Sequence, residues 1–306
     1  MAAEPVALRT PSLLVDYFEL TKPRVMILLL ITMVGAMVWA EQGLPPLWLL
    51  GSALLGMGLT TGGASAINHA LEPDLDIRME RTRQRPVAAG RIEPRPAIVF
   101  GIVLTMLGVL VLAVLTQHPL AAALALAGNL FYVGVYTMWL KRRTPQNIVI
   151  GGAAGAMPPL VGWAAVTGEI GWPALIMFGV IFLWTPPHFW ALAIVKFDDY
   201  GDAGVPMLPN VAGIRATTLQ SIVYAVLLLV FSLLPLPLWW LGVTGEVLGP
   251  LYGVIALLLG LRFLQFTVRL HQAAGDLVIA RETFRFSLLY LAGIFFAMAL
   301  DRVLLG

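Results

Sequence analysis

Nine long apolar runs constrain the fold of this chain more than any other feature of its sequence. Each run has roughly the 17–25 residues that an α-helix needs to cross the hydrocarbon core of a bilayer. Because the bilayer has no water to pair with backbone polar groups, only helices and closed barrels span it. We therefore predict an all-α integral membrane protein with about nine transmembrane helices. The runs cover approximately residues 24–40, 46–68, 96–116, 119–140, 147–166, 171–194, 217–240, 247–268 and 284–303.

An outer-membrane β-barrel is the alternative architecture. A barrel needs short segments in which apolar and polar residues alternate, whereas the stretch from Val223 to Leu234 is almost uninterrupted apolar sequence. Charged residues make up 12% of the chain, and a soluble domain carries about 25%. The sequence therefore predicts a helical bundle that forms one polytopic domain over residues 1–306, with a flexible N-terminal tail over about residues 1–15.

The composition also excludes several kinds of site and partner. The chain has no cysteine, which rules out disulfides, thiolate-bound zinc, iron–sulfur clusters and thiol nucleophiles. Its formal net charge is only +2, so we expect no nucleic-acid partner. The bilayer itself is the expected environment.

The basic residues predict the orientation. With the N-terminus in the cytoplasm, every Lys and Arg except Arg302 falls at or near the cytoplasmic side, as the positive-inside rule requires. Polar residues precede the first run without a small-residue cleavage pattern, so we do not interpret it as a cleaved signal peptide. We expect a multi-pass protein of the cell (inner) membrane, with long polar loops in the cytoplasm and short external connections, the last around residues 242–246.

The first acidic loop follows the second run. Asn68, Glu72 and Asp76 are spaced four residues apart, which places them on one face of a helix. Three oxygen ligands at a membrane boundary suit Mg²⁺, which is commonly held by one or two carboxylates together with substrate phosphates. Pro73 disfavours helical geometry at Glu72, so Asp74 is an alternative ligand. A solvated loop of mixed charge is the competing interpretation.

The second acidic loop follows the sixth run. Asp198 and Asp202 are again four residues apart, with Asp199 between them. Acidic clusters after the second and sixth runs suggest a weak internal repeat, and two facing clusters are the arrangement that holds a diphosphate through bridging Mg²⁺. Basic residues then grip the remaining phosphate oxygens. The candidates on the same side are Lys22, Arg24, Arg81, Lys141, Arg142 and Lys196.

A diphosphate that leaves an allylic carbon leaves a carbocation, which needs a dry pocket rich in aromatic rings. Tyr136 lies five residues before Lys141. One helical turn rises about 5.4 Å, so we expect Tyr136 just below the diphosphate. An interfacial tyrosine that anchors the helix is the alternative interpretation.

Five strings of residues resemble one family, the intramembrane polyprenyltransferases of the UbiA type, and among them the branch of protohaem IX farnesyltransferases. The resemblance extends from about residue 16 to about residue 295. The matching strings are Asn68, Glu72 and Asp76 with Arg78, Arg81 and Arg85; Leu20 to Val25; Tyr136 to Asn147; Trp184 to Ala193; and Asp198, Asp199 and Tyr200 with Ala203 to Pro209.

The resemblance implies nine helices around a central cavity and the transfer of a farnesyl group from farnesyl diphosphate to a vinyl group of haem b. Mg²⁺ is the implied cofactor, haem O the product, and haem A synthase a possible partner that uses the product. Tyr200 joins the candidate substrate-binding residues through its motif. A related prenyltransferase that acts on a quinone precursor or a chlorin is the alternative, and a transporter is a further one.

His188 is the histidine that we single out. It follows Pro186-Pro187 in the sixth run, where we expect irregular backbone facing protein or a cavity. An ionisable residue at membrane depth is a functional candidate. Given haem as the acceptor, His188 either ligates the haem iron or is a packed, hydrogen-bonded histidine.

Overall fold

The computed structural model describes residues 12–241 and 248–305 of the chain. Within these ranges nine helices are long and apolar enough to cross a membrane, and no strand occurs. The nine predicted runs are confirmed as helices. The spans are Pro23–Glu41, Leu47–Leu71, Pro94–Leu115, Pro119–Arg142, Asn147–Thr167, Trp172–Val195, Ile214–Pro237, Pro250–Gln272 and Leu277–Leu304.

Several spans consist of more than one element, and short helices lie between them. The first four helices are α1 (Leu13–Leu20), α2 (Pro23–Glu41), α3 (Leu47–Leu71) and α4 (Pro73–Arg78). The next five are α5 (Pro94–Leu115), α6 (Pro119–Leu130), α7 (Asn147–Gly155), α8 (Met157–Thr167) and α9 (Trp172–Val195). The last six are α10 (Phe197–Asp202), α11 (Leu208–Ala212), α12 (Ile214–Leu233), α13 (Pro235–Trp240), α14 (Pro250–Gln272) and α15 (Leu277–Leu305).

The ends of the chain depart from the sequence-based expectation. Helix α15 begins at Leu277, whereas the apolar run begins only near residue 284. The polar residues Arg281, Glu282 and Arg285 continue the helix, which hydropathy alone does not detect. Most of the expected tail, residues 1–11, and the connection around residues 242–246 lie outside the described residues. Residues 13–15 form the first turn of α1 instead of a tail.

Three of the described spans contain irregular backbone, but the span that carries His188 does not. After α6 the chain forms a π-helix over Phe131–Thr137 and a 3₁₀-helix over Leu140–Arg142. The fifth span is divided at Ala156 between α7 and α8. The seventh span is interrupted at Leu234, between α12 and α13. Helix α9 continues through Pro186-Pro187, so the expected irregularity at His188 is wrong. The hydrocarbon core of a bilayer has no water that could bond to the backbone groups of the turns on either side of the two prolines. Those groups therefore bond within the helix, which keeps the turns helical.

Helices α3 and α5 pack backbone against backbone. A Cβ atom on Gly63 would overlap the carbonyl oxygen of Gly101, and one on Gly108 would lie only 2.5 Å from that of Gly56. Small residues at such contacts let membrane helices approach closely. This packing supports the end of α3 that carries the first acidic loop.

We predict that Gly63→Ala destabilises the protein, because a methyl group has no space between the two backbones. Overpacking of this kind costs about 1–3 kcal/mol, which thermal unfolding in detergent measures. Gly51→Ala is the control, since a Cβ on Gly51, in the same helix, would meet no atom within 4 Å. Equal unfolding midpoints for the two variants contradict the prediction.

Candidate active site

The two acidic loops share one backbone design. Helix α3 ends before Glu72, whose φ and ψ are −124° and 29°, and the six-residue α4 follows. Helix α9 ends before Lys196, whose φ and ψ are −114° and 34°, and the six-residue α10 follows. The repeat suggested by the acidic clusters is therefore present in the backbone, and the proline after Glu72 breaks the helix there.

An apolar cluster joins the two loops. Leu75 and Met79 from the first loop pack with Tyr200, Val205 and Met207 from the second, all of them buried. The loops therefore lie against each other, as the sequence predicted. The apolar contacts, rather than the acidic side chains, hold them together.

A chain of hydrogen bonds connects the first acidic motif to two lysines. The ammonium of Lys22 donates to Asn68 Oδ1 over 2.7 Å, and Asn68 Nδ2 donates to Glu72 Oε2 over 2.7 Å and to Thr137 Oγ1 over 3.1 Å. The ammonium of Lys141 lies 2.5 Å from the same Glu72 oxygen. Glu72 is only 1% exposed, so its charge depends on these partners.

Asp76 is the second buried carboxylate of the motif, 2% exposed. The guanidinium of Arg85 donates to both of its oxygens through one nitrogen, over 2.8 and 3.0 Å. The hydroxyl of Thr82 donates to the backbone carbonyl of Asp76 over 3.0 Å. The loop therefore folds back on Asp76 and brings Arg85 to it.

Lys22 reaches the site from a strained backbone. Its φ of 50° and ψ of 56° place it in the left-handed region, directly before Pro23. Such conformations cost about 1–3 kcal/mol and persist where the surrounding structure holds them, often at functional sites. Burial, then the charges of Arg85 and Lys141, lower the pKa of Lys22. Three cations thus crowd one region that an anion would stabilise.

Asp74 points to a different partner from Glu72. Both of its oxygens accept hydrogen bonds from Arg142, over 2.7 and 2.8 Å, and both side chains are substantially exposed. The hydrogen bond from Arg142 lowers the pKa of Asp74. The structure therefore places Glu72, and not Asp74, in the buried cluster with Asn68.

The remaining predicted residues lie around this cluster. Asp198 and Asp202 are exposed, while Lys196 lies 3.3 Å from the partly buried Asp199. Tyr200 is buried, which raises its pKa, and the nearby charge of Arg81 opposes that shift. Arg24, in the first turn of α2, is exposed. The structure thus gathers Asn68, Glu72, Asp76, Lys22 and Lys141 and leaves the second-loop acids apart from them.

The donor set offers a free oxygen ligand but does not form a closed metal site. Among the described residues no three His, Asp or Glu side chains converge as metal ligands. Glu72 Oε1 is nevertheless buried without a hydrogen-bond partner, which leaves a hard oxygen donor available. Mg²⁺ prefers such donors and usually keeps several waters and substrate phosphates as ligands. The residues therefore fit a metal that arrives with a phosphate ligand.

Tyr136 lies in the π-helix directly beside the first motif. Its neighbour Thr137 accepts the hydrogen bond from Asn68. The ring of Tyr136 stacks on Tyr132 with centroids 5.5 Å apart and packs on Gly151 of α7, where no Cβ would fit. π-helical turns are frequent at functional sites. The expected position of Tyr136, close to the level of the motif, therefore agrees with this geometry.

His188 lies on α9 and contacts α15. Its Nδ1 is 2.6 Å from Ser287 Oγ, and the ring is stacked between Trp184 and Phe284. Burial here is almost complete, with 6% of the residue exposed.

Sequence reasoning missed three residues of these two regions. Arg85 belongs to a matched string, but its distance from Asp76 in the sequence hid the ion pair. Thr137 lies in a matched string, beside Tyr136, and Ser287 in none. Neither was singled out, because their hydrogen-bond partners are 69 and 99 residues away in the sequence.

An apolar groove lies between α2 and α15. It has a volume of about 360 Å³, and the side chains around it are aliphatic or aromatic. Its walls include Ile27, Val34, Leu54 and Phe295. Its size and lining suit a hydrocarbon chain.

Comparison with known sequences gives a consistent match. The UbiA prenyltransferase family matches residues 28–299. A protoheme IX farnesyltransferase of Symbiobacterium thermophilum is 52% identical, over 94% of this chain and 93% of that relative. A protoheme IX farnesyltransferase of Chloroflexus aurantiacus is 48% identical over 95% of this chain, which spans only 48% of that longer protein.

Two solved structures share the fold. A digeranylgeranylglyceryl phosphate synthase has a TM-score of 0.76 at 18% identity, over 95% of this chain and 98% of that one. A UbiA homolog from Archaeoglobus fulgidus bound to DMAPP and Mg²⁺ has a TM-score of 0.63 at 14% identity, over 92% and 99%. This similarity shows that the helical bundle has a fold found in intramembrane prenyltransferases.

We predict that the Glu72–Lys141 pair is coupled in stability. Glu72→Gln or Lys141→Met leaves the partner charge without its counterion, which costs about 3–5 kcal/mol at a buried pair. The double variant should recover part of this loss in thermal unfolding. Arg142→Met is the control, because its exposed pair with Asp74 contributes at most about 1 kcal/mol. Additive losses in the double variant contradict the coupling.

Proposed function

This chain belongs to the UbiA prenyltransferase family, and we infer that it transfers the farnesyl group of farnesyl diphosphate to a vinyl group of haem b, giving haem O. The observation that carries this inference is the identity of about half the residues, over nearly the whole chain, to a relative named protoheme IX farnesyltransferase. The reacting end of the prenyl donor requires a site for a diphosphate, and the first acidic loop has the chemistry for one.

The diphosphate is assigned to the space among Lys22, Arg85 and Lys141. Their charged groups surround Asn68, Glu72 and Asp76 at the end of α3. Charge-assisted hydrogen bonds to an anion are roughly twice as strong as neutral ones. Arg81 and Lys196 lie beside the same loops, while Arg24 and Arg142 are exposed and serve the approach of the anion.

Mg²⁺, when bound, neutralises charge on the leaving diphosphate. Residues of the first motif, Asn68, Glu72 and Asp76, would hold it, since the unpaired Glu72 oxygen and the amide are the oxygen donors it prefers. Asp198, Asp199 and Asp202 are assigned to the same metal–diphosphate unit from the second loop. Asp74 is the weaker candidate, because its side chain is half exposed and pairs with Arg142 outside the buried cluster of Asn68 and Glu72.

The ion pairs of the unliganded site explain how it accepts such a ligand. Glu72 and Asp76 neutralise Lys141 and Arg85 while no ligand is bound. A bound diphosphate would accept hydrogen bonds from these cations, and Glu72 and Asp76 would be available to a metal that accompanies it. The cluster holds three cations, Lys22, Arg85 and Lys141, against two carboxylates, so an entering anion would meet an excess of positive charge in the low-dielectric end of the bundle.

The reacting carbon of the prenyl group, C1, is placed below the level of the diphosphate. The bond from C1 of the farnesyl group to the diphosphate oxygen breaks, and C1 forms a bond to the terminal vinyl carbon of the haem. Water then adds to the inner vinyl carbon and loses a proton, which places the hydroxyl. The stacked pair Tyr132 and Tyr136 offers π density where C1 is positively charged, and the hydrocarbon tail needs an apolar path such as the groove between α2 and α15.

The proposal extends to the setting of the enzyme. The positive-inside rule favours a cytoplasmic location for both acidic loops and the N-terminus, in the inner membrane of a bacterial cell. The product, a farnesylated haem, stays in the bilayer. We therefore assign to haem A synthase the role of the next enzyme that receives it.

The direct test is incubation of the purified protein with haem b, farnesyl diphosphate and Mg²⁺. Mass analysis should find a porphyrin heavier by one farnesyl group and one hydroxyl group. A parallel incubation with a quinone precursor or a chlorin that yields its prenylated product, while haem stays unchanged, would instead identify a different acceptor. Flux across liposomes without any chemical product would identify a transporter.

We predict that Asp76→Asn lowers turnover by about 10²–10³-fold, the usual effect of removing one electrostatic contact to a developing charge. The amide keeps the shape of the side chain but leaves Arg85 without its counterion, so turnover is compared per folded protein, with thermal unfolding of both variants recorded beside it. Glu80→Gln is the matched control, an exposed acid four residues later in the same loop. If Asp76→Asn turns over as fast as Glu80→Gln, the assignment of Asp76 to the metal–diphosphate site is rejected.

We also predict that Tyr136→Leu slows the reaction while Tyr136→Phe does not. A ring face stabilises a nearby cation by about 0.5–2 kcal/mol, which corresponds to roughly a two- to thirty-fold change in rate. Single-turnover rates with saturating donor measure it. If Tyr136→Phe slows the reaction as much as Tyr136→Leu, the hydroxyl of Tyr136 and not its ring is responsible for the rate effect. If Tyr136→Leu reacts at the wild-type rate, Tyr136 only anchors its helix.

A further inference from the structure

We propose that Nε2 of His188 is the axial ligand of the iron of the acceptor haem, and that Ser287 is a positioning residue that selects the ligating form of the imidazole. This inference rests on the proposed function, since it takes haem as the acceptor. Beyond the proposed function, it states how the protein holds the acceptor haem.

The hydroxyl of Ser287 determines which nitrogen of His188 carries the proton. Ser287 Oγ donates its single hydrogen to the carbonyl oxygen of Phe284, over 2.6 Å. A carbonyl oxygen cannot donate, so the 2.6 Å contact between Ser287 Oγ and His188 Nδ1 is also a hydrogen bond only when Nδ1 carries the proton and donates it to Ser287. A neutral imidazole with its proton on Nδ1 has its lone pair on Nε2, the form that binds iron.

Nε2 is left free for a ligand. Within the part of the chain that the structure describes, Nε2 has no hydrogen-bond partner, and it is also absent from the polar atoms that are fully sealed from solvent. By contrast, both ring nitrogens of His69 are sealed without a partner. The lone pair of His188 therefore opens toward accessible space.

Aromatic rings fix the plane of the imidazole. Trp184 stacks on one side with centroids 4.1 Å apart, and Phe284 stacks at 4.7 Å. Trp184 is itself held by a 2.7 Å hydrogen bond from its indole nitrogen to the carbonyl of Ser287. Phe189 meets the imidazole edge-on at 5.0 Å. A ligand ring that cannot rotate presents Nε2 in one direction, as a preorganised site needs.

His188 also lies on the route to the prenyl donor. It is seven residues before the end of α9, which is about 10 Å at the rise of an α-helix. One turn earlier, Thr185 packs on Gly152 of α7, and the adjacent Gly151 receives the ring of Tyr136. The α7 glycines therefore join the helix of His188 to the tyrosine pair, so a haem bound here lies below the diphosphate.

The test is spectroscopic and needs no turnover. Wild-type protein in detergent is titrated with ferric haem b without farnesyl diphosphate, and absorption and electron paramagnetic resonance spectra are recorded. We expect spectra of histidine-ligated haem. His188→Gly should lose these spectra and bind haem at least about 10-fold more weakly, and added imidazole should restore the spectra. His271→Ala is the matched control, because His271 also pairs through Nδ1 with a hydroxyl, that of Thr218, and its spectra should not change.

Ser287 is tested by its effect on the iron–nitrogen bond. Ser287→Ala should shift the iron–histidine stretching frequency of ferrous haem and weaken haem binding, while Ser287→Thr should keep both near wild type. A merely structural serine would change thermal stability without moving that frequency. Identical haem spectra for wild type and His188→Gly, with farnesylated haem still produced by wild type, overturn the inference and leave the proposed function standing. Absence of both haem binding and product in wild type overturns the two together.

Discussion

The site depends on the cost of burying a charge at the boundary of a membrane. Glu72 and Asp76 are 1% and 2% exposed, and an unpaired carboxylate in such a place would cost several kcal/mol. Lys141 and Arg85 supply the opposite charges from other parts of the chain. The need for pairing therefore fixes where the first loop and the 3₁₀-helix that carries Lys141 lie relative to α3. It also makes the site ready to exchange one set of counterions for another.

Because the helix breaks at Glu72, the acidic side chains of the first motif point in different directions. A continuous helix would keep Glu72 and Asp76 on one face, four residues apart. With α4 starting at Pro73, Glu72 turns to Asn68 and Lys141, Asp74 turns outward to Arg142, and Asp76 turns to Arg85. One proline thus distributes the acids of one motif among different partners.

The sequence predicts the parts of the fold that depend on composition and period. Apolar runs of sufficient length predict all nine spans, and the spacing of Asn68, Glu72 and Asp76 predicts a shared polar site. Arg85, Thr137 and Ser287 were not predicted, because a tertiary hydrogen bond leaves no periodic signal in sequence. The continuous helix through Pro186-Pro187 was not predicted either. The helix-breaking tendency of proline is overridden in a bilayer, because the backbone groups there have no water to bond to.

The two loops share a backbone but divide the chemistry unequally. Counting from the non-helical residue of each loop, Glu72 corresponds to Lys196 and Asp76 to Tyr200. The two buried carboxylates of the first loop are therefore replaced in the second by a cation and a buried phenol. Among the acids of the second loop, Asp198 and Asp202 are exposed, whereas Asp199 is partly buried beside Lys196. The second loop is held to the first by apolar packing, so its exposed acids need no buried counterion. The first loop therefore carries the buried charge pairs, and the second loop places its exposed acids on the solvent side.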